Sequence, residues 1–286
     1  MSINHIPVHV VGPGSQPDAG QELKYIEMPH DMATFRAPHI PEPDKVEHLA
    51  GAREAMRWLG NALSAYGDAG EPQLADLTAL DTENRALVNQ ILGEGEVSVV
   101  CNGEVTARCQ ESTLAGVWRT LFFDDEERVF CDLLEVAATP QLLDAAEGND
   151  RPIDTSRPAS SRAVASAMPI LVEVQASAEA YAANGTPHSI NLSLLPLSES
   201  EIEFLDERLG RGAIDVLSRG YGKCQVISTA APNVWWVRYY NSMGTPILNS
   251  IEVTAIPEII VAADEDLRDS AERLGDILAP YWPEAS

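Results

Sequence analysis

Residue n and residue n+117 match along much of this chain without a single insertion, so one structural unit has to be built twice. Leu77 meets Leu194, and Leu80 meets Leu197. Leu92-Gly93-Glu94-Gly95 meets Leu209-Gly210-Arg211-Gly212, and Gly103 meets Gly220. Val117-Trp118 meets Val234-Trp235, Glu135-Val136 meets Glu252-Val253, and Pro140 meets Pro257. Character persists between the identities, as where Phe122-Phe123 faces Tyr239-Tyr240. A fold for this chain must therefore accommodate two copies of one α+β motif.

The second copy shows the unit most clearly. Ser198 and Glu201 have the spacing of a capping box, which starts a helix whose apolar face is Ile202, Leu205 and Leu209. Gly210 stands where a helix needs a residue free to take positive φ. Ala213–Leu217 then alternates as a strand, and three more strand-like runs follow at Cys224–Ala230, Val234–Tyr240 and Ile247–Val253. Short polar turns between them favour antiparallel neighbours. Each unit reads as a helix followed by a four-stranded antiparallel meander, with one face in need of cover.

Cover comes from flanking helices. One, capped by Asp44, carries Val46, Leu49, Met56, Leu59 and Leu63 at helical spacing up to about Tyr66. A second has Pro169 in its first turn and ends at Asn184-Gly185. A third runs from about Asp264 to Leu278. Before them lies a Pro/Gly-rich stretch that fits an extended arm. The division expected is an arm at 1–44, a helix plus first α+β unit at 45–150, and helix, second unit and C-terminal helix at 151–286.

Composition narrows function. Asp and Glu number 44 against 19 Lys and Arg, a net charge of −25, which disfavours nucleic acid and anionic membranes and would attract a basic polypeptide. No apolar run approaches the roughly 20 residues of a membrane span, and residues 1–11 lack the pattern of a secretory signal. A cytoplasmic, non-membrane protein is expected. The cysteines Cys101, Cys109, Cys131 and Cys224 show no zinc-type spacing and read as reduced thiols in strands. Five of the six histidines fall in the first 48 residues. No nucleophile elbow, metalloprotease motif, phosphate loop or dinucleotide fingerprint is present. The expectation is no enzyme activity, no cofactor and no resident metal.

One cluster stands out in a chain poor in aromatics and cations. The turn Arg219-Gly220-Tyr221-Gly222-Lys223-Cys224 lies near the strand Trp235-Trp236-Val237-Arg238-Tyr239-Tyr240 and Asn241. Strand alternation puts Trp235, Val237 and Tyr239 on one face, with Trp236, Arg238 and Tyr240 on the other. One face would be core, and the other would present aromatics with an arginine, the composition of a binding hot spot. The candidate partner-binding residues are Arg219, Tyr221, Lys223, Cys224, Trp236, Arg238, Tyr240 and Asn241. The first unit has Asn102-Gly103-Glu104-Val105 at the equivalent turn, so the two copies have diverged there.

These same residues carry a family resemblance. Leu217–Cys224, Val234–Ser242, Gln110-Glu111-Ser112 with Gly116–Arg119, Gly12–Gln16 and Ile190–Leu197 resemble the HupH/HyaF-type hydrogenase expression/formation proteins. The likeness covers nearly the whole chain, with minor departures such as Lys223. It implies a non-enzymatic accessory protein in the maturation of an uptake nickel–iron hydrogenase. The implied partners are the iron–sulfur small-subunit precursor, bound before export, and other hydrogenase accessory proteins. The alternative is a protein that handles metal or iron–sulfur clusters in the same pathway, on the strength of Cys101, Cys109, Cys224 and the N-terminal histidines.

Overall fold

A computed structural model describes residues 42–148, 151–156, 164–220 and 222–282. Residues 1–41 of the Pro/Gly-rich arm lie outside the described residues, and with them His5, His9, His30 and His39. In the first unit the elements are α1 Ala50–Ala69, β1 Gln73–Asp76, α2 Thr82–Leu92, β2 Val97–Asn102, β3 Thr106–Glu111, β4 Val117–Phe123 and β5 Val129–Val136. The second unit has α3 Ala167–Asn184, β6 His188–Asn191, α4 Glu199–Leu209, β7 Ile214–Ser218, β8 Lys223–Ser228, β9 Val234–Tyr240 and β10 Pro246–Val253. Helix α5, Asp264–Leu278, follows them. The bounds of α2, β3, β4 and β5 recur in α4, β8, β9 and β10 at the same offset of 117.

All ten strands join one antiparallel sheet in the order β1-β5-β4-β3-β2-β7-β8-β9-β10-β6. The two meanders meet at β2 and β7, where Val99 pairs with its own counterpart Val216, Val97 with Ser218 and Cys101 with Ile214. Pairing of equivalent strands about equivalent residues is an isologous contact, as in a two-fold dimer, here within one chain. Each meander carries one more strand than the sequence pattern predicts. β1 and β6 precede the helices and pair with the last strands, β5 and β10. They have four residues each, too few to show a period of two.

Side-chain alternation gives the sheet two different faces. On the back face Val97, Val99, Cys101, Cys109, Trp118, Ile214, Val216, Cys224, Val226 and Trp235 form one buried cluster spanning both units, closed by Leu143 and Ile260 from the 3-10 turns Gln141–Gly148 and Glu258–Ile260. On the front face the units keep separate cores. Met56, Leu59, Leu87, Ile91, Val117, Leu134 and Val136 pack in one, and Leu171, Val174, Leu205, Leu209, Trp236, Ile251 and Val253 in the other. Helix α5 does not cover the unit it follows. It crosses to the first core, where Leu267, Leu274 and Leu278 are buried against α1.

Two tethers recur. Trp118 Nε1 donates to Ala137 O at 2.9 Å, and its counterpart Trp235 Nε1 donates to Thr254 O at 3.0 Å. Ala138 N donates to Tyr66 Oη at 3.0 Å, as Ala255 N does to Tyr181 Oη at 2.8 Å, fastening each covering helix to its sheet. At the start of α1 the expected cap is corrected. Pro43 draws Asp44 into a short 3-10 turn, and the helix begins five residues later behind Leu49, with no side-chain cap. The helix also runs through Gly67, stopping at Gly70 in the left-handed conformation.

Candidate partner-binding site

The Arg219 turn joins β7 to β8, but its position is set by the first unit. Arg219 N donates to Glu96 O at 3.0 Å, across the junction of the two meanders. A Cβ at Gly220 would meet the tip of the exposed Glu96 side chain, so a larger residue there would have to displace that carboxylate. Tyr221 lies outside the described residues. Lys223 pairs with Tyr240 across the β8–β9 ladder, which brings the turn beside the end of β9. Among the described residues neither Arg219 nor Lys223 makes an ion pair, and partial burial, then the neighbouring Arg219 charge, pull the Lys223 ammonium below its ordinary range.

Asn241 builds the next turn: its Oδ1 accepts from Met243 N at 3.0 Å and Thr245 N at 2.9 Å. That turn holds Met243 out at 83 % exposure, with Ile247 exposed just beyond it. Arg238 lies over the Trp236 ring at 4.7 Å and reaches Asp206 at 3.9 Å.

Two of the residues expected in the hot spot are not at the surface, which corrects that expectation. Trp236 is buried, its Nε1 donating to Asn249 Oδ1, because helices α3 and α4 cover that end of β9. Both tryptophans of the strand are core, on opposite faces. Cys224 is buried on the back face, where burial pushes its thiol up to about 11. Cys109 is pushed up to about 12 by the same cause. Burial thus disfavours the thiolate, the nucleophilic form, at both positions. Among the described residues no group of three or more His, Cys, Asp or Glu is placed to hold a metal ion. A back-face cavity of about 340 Å³, lined by Tyr239, Glu252, Glu258 and Ile259, gathers polar groups. Burial there raises Glu252 and takes Tyr239 to about 12.

Arg219, Lys223, Arg238, Tyr240 and Asn241 remain partly or fully exposed. Lys223, Arg238 and Tyr240 belong to a larger surface that the sequence pattern alone did not delimit. The helices pack over the outer strands, α1 on β1 and β5, and α3 on β6 and β10. On the same side of the central strands Ser98, Val100, Arg108, Gln110, Leu121, Phe123, Asp215, Leu217, Lys223, Gln225, Arg238 and Tyr240 are all partly or largely exposed. The result is a trough across the junction of the two units, flanked by their helices. The repeat did contain the signal: Leu121 and Phe123 are the counterparts of Arg238 and Tyr240.

The geometry of one sheet with two equivalent halves agrees with the comparisons. The family described as "HupH hydrogenase expression protein, C-terminal conserved region" matches the chain twice, over residues 49–152 and 164–281. This chain belongs to the HupH hydrogenase expression protein family. It is 41 % identical to the hydrogenase expression/formation protein HoxQ of Cupriavidus necator, over 96 % of both chains. It is 38 % identical to the hydrogenase expression/formation protein HupH of Rhodobacter capsulatus, covering 96 % of this chain and 97 % of that one. Identity to the hydrogenase-1 operon protein HyaF of Escherichia coli is 32 %, over 94 % of each. A solved hydrogenase expression protein HupH from Thiobacillus denitrificans aligns at 30 % identity with a TM-score of 0.38, over 40 % of this chain and 95 % of its own.

Proposed function

We propose that this protein acts by binding, as an accessory protein in hydrogenase maturation, and holds the iron–sulfur small-subunit precursor of an uptake nickel–iron hydrogenase before export. Full-length similarity to hydrogenase expression/formation proteins carries the maturation role. The precursor as partner is supported by charge. A protein with 44 acids and 19 bases attracts a basic leader segment, and long-range attraction of this kind speeds encounter. The exposed cluster Arg219, Lys223, Tyr240 and Asn241, with Met243 and Ile247 beside it, offers a contact surface for the folded part of the partner. Binding is favoured over metal or cluster handling by the burial of Cys101, Cys109 and Cys224 within the back-face core. Among the described residues no helix is long and apolar enough to cross a membrane.

Co-purification of the tagged protein from cells making the hydrogenase, with and without the small subunit's leader, tests this reading. Capture of the leader-bearing precursor in preference to the leaderless form is expected, and Arg219→Ala with Lys223→Ala should weaken it. Capture of neither form overturns the proposal. Stoichiometric iron or nickel in protein purified without oxygen would favour the cluster-handling alternative instead.

A further inference from the structure

We infer that the trough across the central strands is a docking site for an acidic amphipathic helix of a partner protein. This inference does not depend on which hydrogenase protein is the partner. Three features of the surface argue for it. The first is shape. Six strands, β4-β3-β2-β7-β8-β9, lie between the outer strands that carry α1 and α3, and at ~4.8 Å per strand they give a floor roughly 25 Å wide. That accepts one α-helix of about 10–12 Å diameter. The second is apolar content. Val100, Leu121, Phe123, Leu217 and Tyr240 are all partly exposed on the floor, whereas Val99, Cys101, Cys109, Trp118, Val216, Cys224 and Trp235 on the back face are buried.

The third is charge, and it selects the occupant. Arg108, Lys223 and Arg238 line the strip, with Arg219 at the junction, against Asp215 and the Glu96 carboxylate beside Gly220. Burial raises Asp215 towards its neutral form, although Gln225 Nε2 donates to it at 3.1 Å. At the rim Asp206 is shared by Arg211 at 4.0 Å and Arg238 at 3.9 Å. Arg108 lies over the Phe123 ring at 4.9 Å, so cation and aromatic face solvent together. Polarity is thus reversed here relative to a chain in which acids outnumber bases by more than two to one. Apolar side chains interleaved with cations in excess over acids are complementary to a helix carrying Leu or Phe on one face and Glu along its margins.

The test sets local against global electrostatics. An 18-residue peptide with Leu and Phe at helical spacing and Glu elsewhere is titrated into the full-length protein and followed by fluorescence anisotropy. The net charge of the protein predicts repulsion, whereas the trough predicts saturable binding that weakens with salt. Arg108→Glu and Lys223→Glu should each weaken binding at least tenfold, Arg108→Lys should largely restore it, and Arg268→Glu on the exposed face of α5 should leave it unchanged. Circular dichroism melts matching the parent's show that the variants fold. No binding of the Glu peptide overturns the inference, as does equal binding by Arg108→Glu. A change in sedimentation coefficient with Arg108→Glu also overturns it, because the face would then join two copies of this chain.

Discussion

At the scale of single residues, the two copies solve one packing problem with different chemistry. Asp132 on β5 is buried and takes two hydrogen bonds from Arg119 on β4, at 2.8 and 2.7 Å, with Arg85 Nε more distant at 3.4 Å. Their counterparts are Asn249 and Trp236, a neutral amide and an indole joined by one hydrogen bond. Losing one member of a buried ion pair strands a charge, while losing one member of a neutral pair strands only a dipole. Arg119→Met should therefore lower stability by about 3–5 kcal/mol, and Asn249→Ala by about 1–3 kcal/mol, in urea unfolding. A second prediction concerns Glu135, which is buried on the back face and accepts from Gln141 N at 3.1 Å. Burial pushes its carboxyl up to about 7 from the ordinary 4.5. Between those values the folded protein keeps a proton that the unfolded chain has released. Stability thus falls as pH rises from about 4.5 to 7, then stays reduced. Glu135→Gln should match the parent near pH 4 and exceed it at pH 8 by on the order of 2–3 kcal/mol, with a flatter stability profile between.

At the scale of elements, the start of each short helix also fastens the helix that covers it. Asn84, in the first turn of α2, donates to the capping Asp81 at 2.6 Å and accepts from Ala52 N of α1 at 2.8 Å. Its counterpart Glu201 accepts from Ser198 N at 2.9 Å and from Ser166 N, at the head of α3, also at 2.9 Å. The S-x-x-E spacing was legible as a helix start. The second bond was not, because nothing local says which distant backbone amide lies within reach. Glu201→Ala removes both bonds and should cost about 2 kcal/mol, whereas Ser198→Ala, which loses only capping, should cost about 1 kcal/mol. Thermal melts compare the two, and equal losses would mean that the bond to α3 contributes nothing. The edge strands β1 and β6 were missed for a related reason: four residues acquire their pairing only once β5 and β10 are placed beside them.

At the scale of the whole molecule, the two units share strand pairing, a back-face core and helix α5. Val99 and Val216 sit at the centre of the junction, both fully buried. Ser270 on α5 donates through Oγ to Ala115 O at 3.1 Å, tying that helix to the first unit. With every boundary crossed by core contacts, neither unit has a separate surface to lose, and unfolding should be one cooperative transition. Urea curves from tryptophan fluorescence and far-ultraviolet circular dichroism are expected to superimpose, and two resolved transitions would refute this. Val99→Asp, which places an unpaired charge where the units meet, should destabilise both together by about 4 kcal/mol or more.

The duplication, the α+β class, the helix stops at Gly185 and Gly210 and the bounds of β9 were readable along the chain, because they rest on spacing and on local backbone preference. Whether a given alternating residue faces core or solvent was not, because both faces of Val234–Val237 are covered, one under helices and one under 3-10 turns, while Arg238 and Tyr240 of the same strand stay partly exposed. Nor could chain order foretell that α5 crosses to the first unit, or that Glu96 positions the Arg219 turn. Local sequence determined what each segment becomes. Only tertiary packing decided which surfaces remain exposed, since exposure depends on what every other segment has already covered.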